Sequence, residues 1–177
     1  MQPFDNSTPV TSDLHNKSVI TSDLLAIAND GEDWQLYHSF MAKPVPYEVL
    51  FKDHFLQWLD SRHGYNAGVL KMDPFTQYDW HVDGRRGVGV NLLLSFEGTS
   101  VCMFTEQPNQ TVKNVYPVGY KPDTYTVFNT QVPHCVVNFE KPRYLFSIEF
   151  NKGKDELSYT DLLNEINSNY KGRSNER

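Results

Sequence analysis

Only two cysteines, Cys102 and Cys135, occur in the 177 residues. A scaffold stapled by several disulfides is therefore excluded, and without an export signal a single bridge is not the default either. No apolar run approaches the roughly 18 residues of a membrane-spanning helix. The opening stretch, Met1-Gln-Pro-Phe-Asp-Asn, lacks the basic and apolar regions of a secretory leader. These absences point to a reducing, cytoplasmic compartment and no membrane partner. Positive charge is also scarce, with 16 basic residues against 22 acidic ones and a net charge of −6. That balance repels a phosphate backbone and disfavours nucleic acid as a partner. Arg85 and Arg86 remain as one local basic spot. No internal repeat or low-complexity segment occurs.

What the chain does have is apolar and aromatic mass. A hydrophobic share of 39%, with 11 Phe, 10 Tyr and 3 Trp, supports a packed globule. The length fits one domain with one sizeable core. Residues 1–65 read as a polar arm and supporting helices, 66–150 as a β-rich core, and 151–177 as a C-terminal helix and charged tail. Capping residues at Thr21-Ser-Asp open a short helix. Trp34 to Phe40 alternates like a strand, and Pro44-Val-Pro46 breaks it. Val49, Leu50, Phe51, Phe55, Trp58 and Leu59 fall at helical spacing across 47–62, and Gly64 stops that helix. Short apolar segments then recur at 67–72, 86–96, 99–105, 111–116, 123–129, 134–139 and 142–150, separated by turn residues. So many short strands predict a mainly β fold, closed or built from two sheets. In the last of them Tyr144, Phe146, Ile148 and Phe150 share one face, placed against the helices, and Arg143 shares the other. A final helix is expected over 158–169, with Gly172–Arg177 as a frayed tail.

The chemistry concentrates at His81, Asp83 and His134. Within a strand, residues i and i+2 face the same side, so His81 and Asp83 can reach one ion, with Gly84 turning the chain away afterwards. His134 follows a loop and precedes an apolar run, a suitable place for a third ligand from a distant strand. Two imidazoles and one carboxylate leave coordination positions open, which suits Fe(II) that must bind a co-substrate and O₂. His-x-Asp alone is common by chance and carries little weight. His15, His38, His54 and His63 read as surface or structural histidines. Arg143, nine residues beyond His134, adds weight. It is a cation in an apolar strand, where burial is costly unless an anion meets it. Glu149 lies six residues along the same strand, roughly 20 Å away, too far to serve. A bound carboxylate ligand is the better partner.

His81-x-Asp83, His134 and Arg143 in this order and spacing resemble the Fe(II)/2-oxoglutarate-dependent oxygenase superfamily. So do Tyr78-Asp-Trp-His81, Val90-Asn-Leu-Leu-Leu94, Phe128-Asn-Thr130 and His134-Cys-Val-Val-Asn138. The resemblance covers about residues 66–150. It implies a double-stranded β-helix (jelly-roll, cupin-like) core flanked by N-terminal helices. It also implies Fe(II) on His81, Asp83 and His134, with 2-oxoglutarate and O₂ as co-substrates and Arg143 on the distal carboxylate. The implied reaction is hydroxylation of an amino-acid residue, peptide or small metabolite, with release of succinate and CO₂. An aspartate at position 83 implies hydroxylation or a related oxidation, because halogenating relatives carry a small residue there.

The chain departs from the pattern at one point. Some branches carry a co-substrate-binding tyrosine on the strand before the metal motif, where this sequence reads Leu70-Lys-Met72. Asn91 and Ser147 are the candidates for that second contact. Arg85 and Arg86 read either as a solvated turn or as a grip on an acidic substrate group. Asn138 is expected to make a structural hydrogen bond, Trp80 and Tyr78 to pack at the rim, and Cys135 to point away from the metal as a small filler. Two other readings stand beside this one. A cupin-type metal oxygenase or isomerase would use no 2-oxoglutarate and leave Arg143 without its ligand. A non-catalytic β-barrel binding module would leave the His and Asp convergence without a purpose.

Overall fold

A computed structural model describes residues 11–170 except Ser39, and no side chain of His15 or Asn16. The expectations for residues 1–10, the His15 side chain and the tail from Gly172 to Arg177 lie outside the described residues. Among the described residues eleven strands form two sheets. Their ranges are β1 Thr11–Lys17, β2 Gln35–Tyr37, β3 Phe40–Pro44, β4 Tyr65–Met72, β5 Thr76–His81, β6 Gly89–Leu93, β7 Ser100–Phe104, β8 Tyr116–Pro117, β9 Thr124–Phe128, β10 His134–Asn138 and β11 Arg143–Phe150. The helices are α1 Thr21–Asn29, α2 Tyr47–Leu50, α3 His54–His63 and α4 Tyr159–Asn169. The larger sheet runs β1-β9-β6-β11-β4-β3-β2 and the smaller β5-β10-β7-β8, with every pairing antiparallel. This is the mainly β, jelly-roll architecture expected.

Three strands of the larger sheet come from residues 11–44, a region expected to supply only an arm, one strand and helices. The polar β1 adds to the edge of that sheet beside β9. The single strand read at Trp34–Phe40 is a hairpin, with Tyr37 paired to Phe40 and His38 at φ 53° in its turn. The helix read over 47–62 is two helices. Asp53 divides them, because its side chain accepts a hydrogen bond from the Phe55 backbone N–H and caps α3. The strand read at 111–116 shrinks to Tyr116–Pro117, leaving Val112 86% exposed. The strand β5, by contrast, was not among the apolar segments, since Thr-Gln-Tyr-Asp-Trp-His is mostly polar.

Two apolar clusters result. The larger lies between the outer face of the seven-stranded sheet and the helices. There Leu24 of α1, Phe55 and Leu59 of α3 and Leu162 of α4 meet Val90, Phe146 and Ile148. Phe146, Ile148 and Phe150 thus face the helices as their alternation predicts. The smaller cluster, with Met72, Cys102, Phe104, Phe128 and Val136, lies between the sheets. Polar side chains share that inner space, and the functional residues are among them. Both cysteines are free and buried, and neighbouring register on β7 and β10 puts Cys102 beside Val136 rather than Cys135.

Asp53 ties the helical layer to the sheet. It is 4% exposed and also accepts from the Tyr125 hydroxyl at 2.9 Å. Asp53→Ala removes a cap and leaves the buried Tyr125 hydroxyl with only Ser18 Oγ, at 3.2 Å, to accept from it. We expect a loss of ~2–4 kcal/mol, read as a lowered thermal midpoint. Asp53→Asn is expected to recover part of it.

Candidate metal centre

His81 ends β5 and His134 begins β10, and the antiparallel register sets them directly opposite. Their rings stand 4.2 Å apart, centre to centre. Asp83 does not join by strand parity as the sequence implied, because β5 stops at His81. A loop contact places it instead. Its backbone N–H donates to the Thr130 carbonyl at 3.0 Å, and the Gln131 side chain donates to the Asp83 carbonyl at 2.9 Å. The segment before β10 therefore positions both His134 and the carboxylate. Gly84 is not needed for the turn, since a Cβ there would meet nothing within 4 Å. Close to this turn, Gly87 is a glycine the backbone requires, since a Cβ there would sit 2.4 Å from the Leu157 carbonyl oxygen.

One ligand atom from each of His81, Asp83 and His134 lies within 4.8 Å of the others. Asp83 Oδ1 is 3.7 Å from His81 Nε2 and 3.9 Å from His134 Nε2. Metal bonds of ~2.1 Å at right angles put neighbouring donors ~3 Å apart, so both separations are within about an ångström of a shared ion. Both imidazoles are oriented from behind. The His81 Nδ1 bonds the Asp79 carbonyl at 2.7 Å, and the His134 Nδ1 bonds the Val132 carbonyl at 2.9 Å. A carbonyl only accepts, so Nδ1 carries the proton and each Nε2 lone pair faces the shared point. Burial, with the nearby His81, pushes the His134 imidazole down to about 4, so it is neutral near pH 7. The donor set and its orientation fit a divalent metal with open positions.

Sequence reasoning missed one support of this centre. The Arg86 guanidinium grips Asp83 Oδ2 through Nε at 2.8 Å and Nη2 at 2.6 Å. The other carboxylate oxygen is left to the metal point. Arg86 is itself fixed, for its carbonyl accepts from Thr130 Oγ1 and the Gln131 amide, both at 2.6 Å. Neither reading of the Arg85-Arg86 pair anticipated this, because only the folded loop returns the side chain three residues backward. Arg86→Gln is expected to weaken metal binding ~10–100-fold by freeing the carboxylate. Arg86→Lys should keep the charge but lose the fork, and a metal titration should place it between the two.

Arg143 starts β11 at the opposite end of the inner space, paired with Met72, while Glu149 and Asn66 pair at the metal end. It is 5% exposed, and among the described residues no carboxylate pairs with it. Glu149 instead accepts from the Tyr37 hydroxyl at 2.7 Å. Asn91 is buried on β6 opposite Ser147 of β11. Ser147 Oγ is 3.5 Å from Arg86 Nη1, so it sits toward the metal rather than beside Arg143. Asn138 makes the structural bonds expected, donating to the Met72, Asp73 and Lys141 carbonyls. Tyr78 packs at the rim against His81. At the metal end a cleft of about 450 Å³ opens between Gly84, Arg85, Glu149 and the loop from Lys152 to Lys154.

No protein-family model matches the chain, and no curated protein matches it. Solved structures do. A Pseudomonas putida prolyl-4-hydroxylase aligns at TM-score 0.60 and 16% identity, covering 82% of this chain and 94% of its own. A Trichoplax adhaerens prolyl hydroxylase, solved with a hypoxia-inducible-factor oxygen-degradation-domain peptide, aligns at 0.58 and 15%, covering 81% and 84%. The non-haem α-ketoglutarate-dependent epimerase SnoN of nogalamycin biosynthesis aligns at 0.51 and 11%, covering 75% and 73%. The chain therefore has the jelly-roll fold shared by these enzymes, carrying a His-Asp-His group between its sheets. Among the described residues no helix is long and apolar enough to cross a membrane.

Proposed function

We propose that the chain is an Fe(II)- and 2-oxoglutarate-dependent dioxygenase that hydroxylates an amino-acid residue, a peptide or a small metabolite. The observation that carries this reading is the pairing of an open metal-ligand group at one end of the inner space with a buried, carboxylate-free Arg143 at the other. A structural metal would need no remote cation. A dicarboxylate that chelates the metal by its 2-oxo acid end gives Arg143 its anion.

Bound Fe(II), with 2-oxoglutarate and O₂, supplies an oxidant strong enough to replace C–H by C–OH, with succinate and CO₂ released. The residues do the remaining work. His81 and His134 direct their Nε2 atoms at the shared point because their Nδ1 atoms are bonded to carbonyls. Asp83 offers Oδ1 while Arg86 occupies Oδ2, which leaves positions for the co-substrates. Phe104 and Phe128 pack on His134 and exclude water from its inner side. The cleft at the metal end is where the substrate docks, and Arg85 and Lys154 in its wall favour one carrying an anionic group.

The test is an anaerobic titration of metal-free protein with Fe(II) and then 2-oxoglutarate. A weak visible charge-transfer band on the second addition supports the reading and opens a substrate screen by succinate release. Iron binding without that band would favour a cupin-type enzyme. No iron binding would remove the enzymatic reading.

A further inference from the structure

Behind the cleft at the metal end lies a histidine that the metal centre does not use. Resting on the reading of that cleft as the substrate's docking place, we infer that His63 is a positioning residue for its wall. Neutral, it accepts from Lys152 and ties the segment after β11 to α3 and α4; protonated, it lets that segment go.

His63 closes α3, and its side chain is 5% exposed. Both ring nitrogens face a charged group. Nδ1 lies 3.1 Å from Lys152 Nζ, and Nε2 lies 2.9 Å from Glu165 Oε2 of α4. A lysine ammonium only donates, so Nδ1 is the acceptor and carries no proton. The neutral ring then holds its proton on Nε2, beside the carboxylate. That second contact is one of charge, because it falls outside hydrogen-bond alignment. Arg62 holds the other Glu165 oxygen, with Nε 2.6 Å from Oε1, and the Phe150 ring of β11 packs edge-on at 5.7 Å. The ring is thus faced by Arg62 from its own helix, Glu165 from α4, Lys152 from the loop and the uncharged Phe150 from the sheet.

Protonation changes the ring at the one atom that matters. An imidazolium carries a proton on Nδ1 as well, so that nitrogen turns from acceptor to donor. Two cationic donors then face each other, and the bond to Lys152 is lost. Burial holds the His63 imidazole below its ordinary value, while Glu165 pulls it up and Lys152 and Arg62 push it down. The neutral, bonded form is therefore present at pH 7. The tie is lost as pH falls through that lowered value.

Lys152 belongs to the cleft wall, with Arg85, Glu149 and Lys154. Its segment runs from the helices to the metal loop. At one end the Asn151 N–H donates to the Gly64 carbonyl at 3.0 Å, and at the other the Lys154 N–H donates to the Arg85 carbonyl at 2.8 Å. Arg85 precedes Arg86, whose guanidinium grips Asp83. From outside the site, His63 fixes a wall whose far end is bonded to the loop carrying a metal ligand. An ordered wall engages a substrate at lower entropic cost than a loose one, so the tied form is the binding form.

The test uses the full chain without metal and reads no turnover. Proton NMR follows the His63 ring through a pH titration, its signals assigned by their absence from His63→Gln. Hydrogen exchange, corrected for the intrinsic effect of pH, follows the backbone N–H groups of residues 151–157. Protection of this segment is expected to fall roughly 2–10-fold as His63 protonates, the ratio one hydrogen bond supplies. Lys152→Met keeps the stem but not the ammonium. In it the His63 midpoint should rise and the exchange step should vanish, and a thermal melt checks that this variant is folded. Glu165→Gln should lower the midpoint. His63→Gln offers a polar acceptor that does not titrate, so it should show no step. An unchanged His63 midpoint in Lys152→Met overturns the tie, and that variant decides even where His63→Gln does not fold. A step that persists in His63→Gln also overturns it, because another group would then be titrating. Failure here leaves the oxygenase reading standing. Failure of the Fe(II) titration would remove the substrate from the cleft and leave the measured tie intact, so the two failures are distinct.

Discussion

His134→Ala is expected to abolish measurable Fe(II) binding, and turnover with it. His134 is the most enclosed of the three candidate ligands, 6% exposed, with Phe104 and Phe128 packed on its ring. Alanine removes one of two imidazole donors and leaves an apolar hole that no nearby side chain can fill with a ligand atom. Loss of an outer-shell partner already costs ~10–100-fold in metal affinity, so loss of a direct ligand should exceed that range. His81→Ala should behave alike, since its ring faces the same point from the paired strand. Asp83→Ala should be milder, with two oriented imidazoles still present and residual binding visible in a Mn(II) titration. Its own penalty includes Arg86, whose guanidinium would lose its carboxylate. Circular dichroism separates these outcomes from unfolding. If all of these variants and Arg143→Ala lost metal equally, the separate roles assigned to them would be wrong.

Arg143→Ala is expected to do the reverse, binding metal normally while losing 2-oxoglutarate. The reason is distance. Arg143 pairs with Met72 at one end of β11 in the seven-stranded sheet, whereas His81 and His134 belong to the other sheet. No metal ligand contacts the guanidinium, so its removal leaves the metal donors in place. Truncating one partner of a buried, hydrogen-bonded charge pair costs about 2–5 kcal/mol, or roughly 30-fold to several thousand-fold in affinity. Calorimetry with Mn(II)-loaded protein reads this directly. Without ligand, the variant is expected to gain modestly in thermal stability, because a buried cation with no carboxylate partner destabilises the folded state. Normal 2-oxoglutarate affinity in this variant would sink the assignment of Arg143 and favour an enzyme that does not use that co-substrate.

Much of the fold was legible in local pattern. The alternation of residues 143–150 predicted which side of β11 meets the helices, and Ser158 to Asn169 carried both a capping box and its apolar face. The failures have physical causes. The Asp53 break was hidden because the apolar spacing of 47–62 continues through it, and only the side chain's bond to Phe55 reveals a cap. The strand β5 was hidden because sheet pairing, with β10 on one side only, holds a polar segment that no hydrophobic period marks. Asp83 lies in the cluster with both histidines, but not through the strand parity that the sequence suggests. Its place is set by hydrogen bonds to Thr130 and Gln131, not by strand parity with His81.

By itself, then, the sequence determined the residue types and their order: two histidines, an aspartate and a later arginine in a β-rich chain. Those are covalent facts, and the chemistry they permit follows from the side chains alone. Tertiary structure decided which groups support them. Arg86 on Asp83 depends on a loop that is held by Thr130 and Gln131 across a long sequence separation. No periodicity encodes such contacts, because a loop side chain's direction is set by the packing of strands it is not part of.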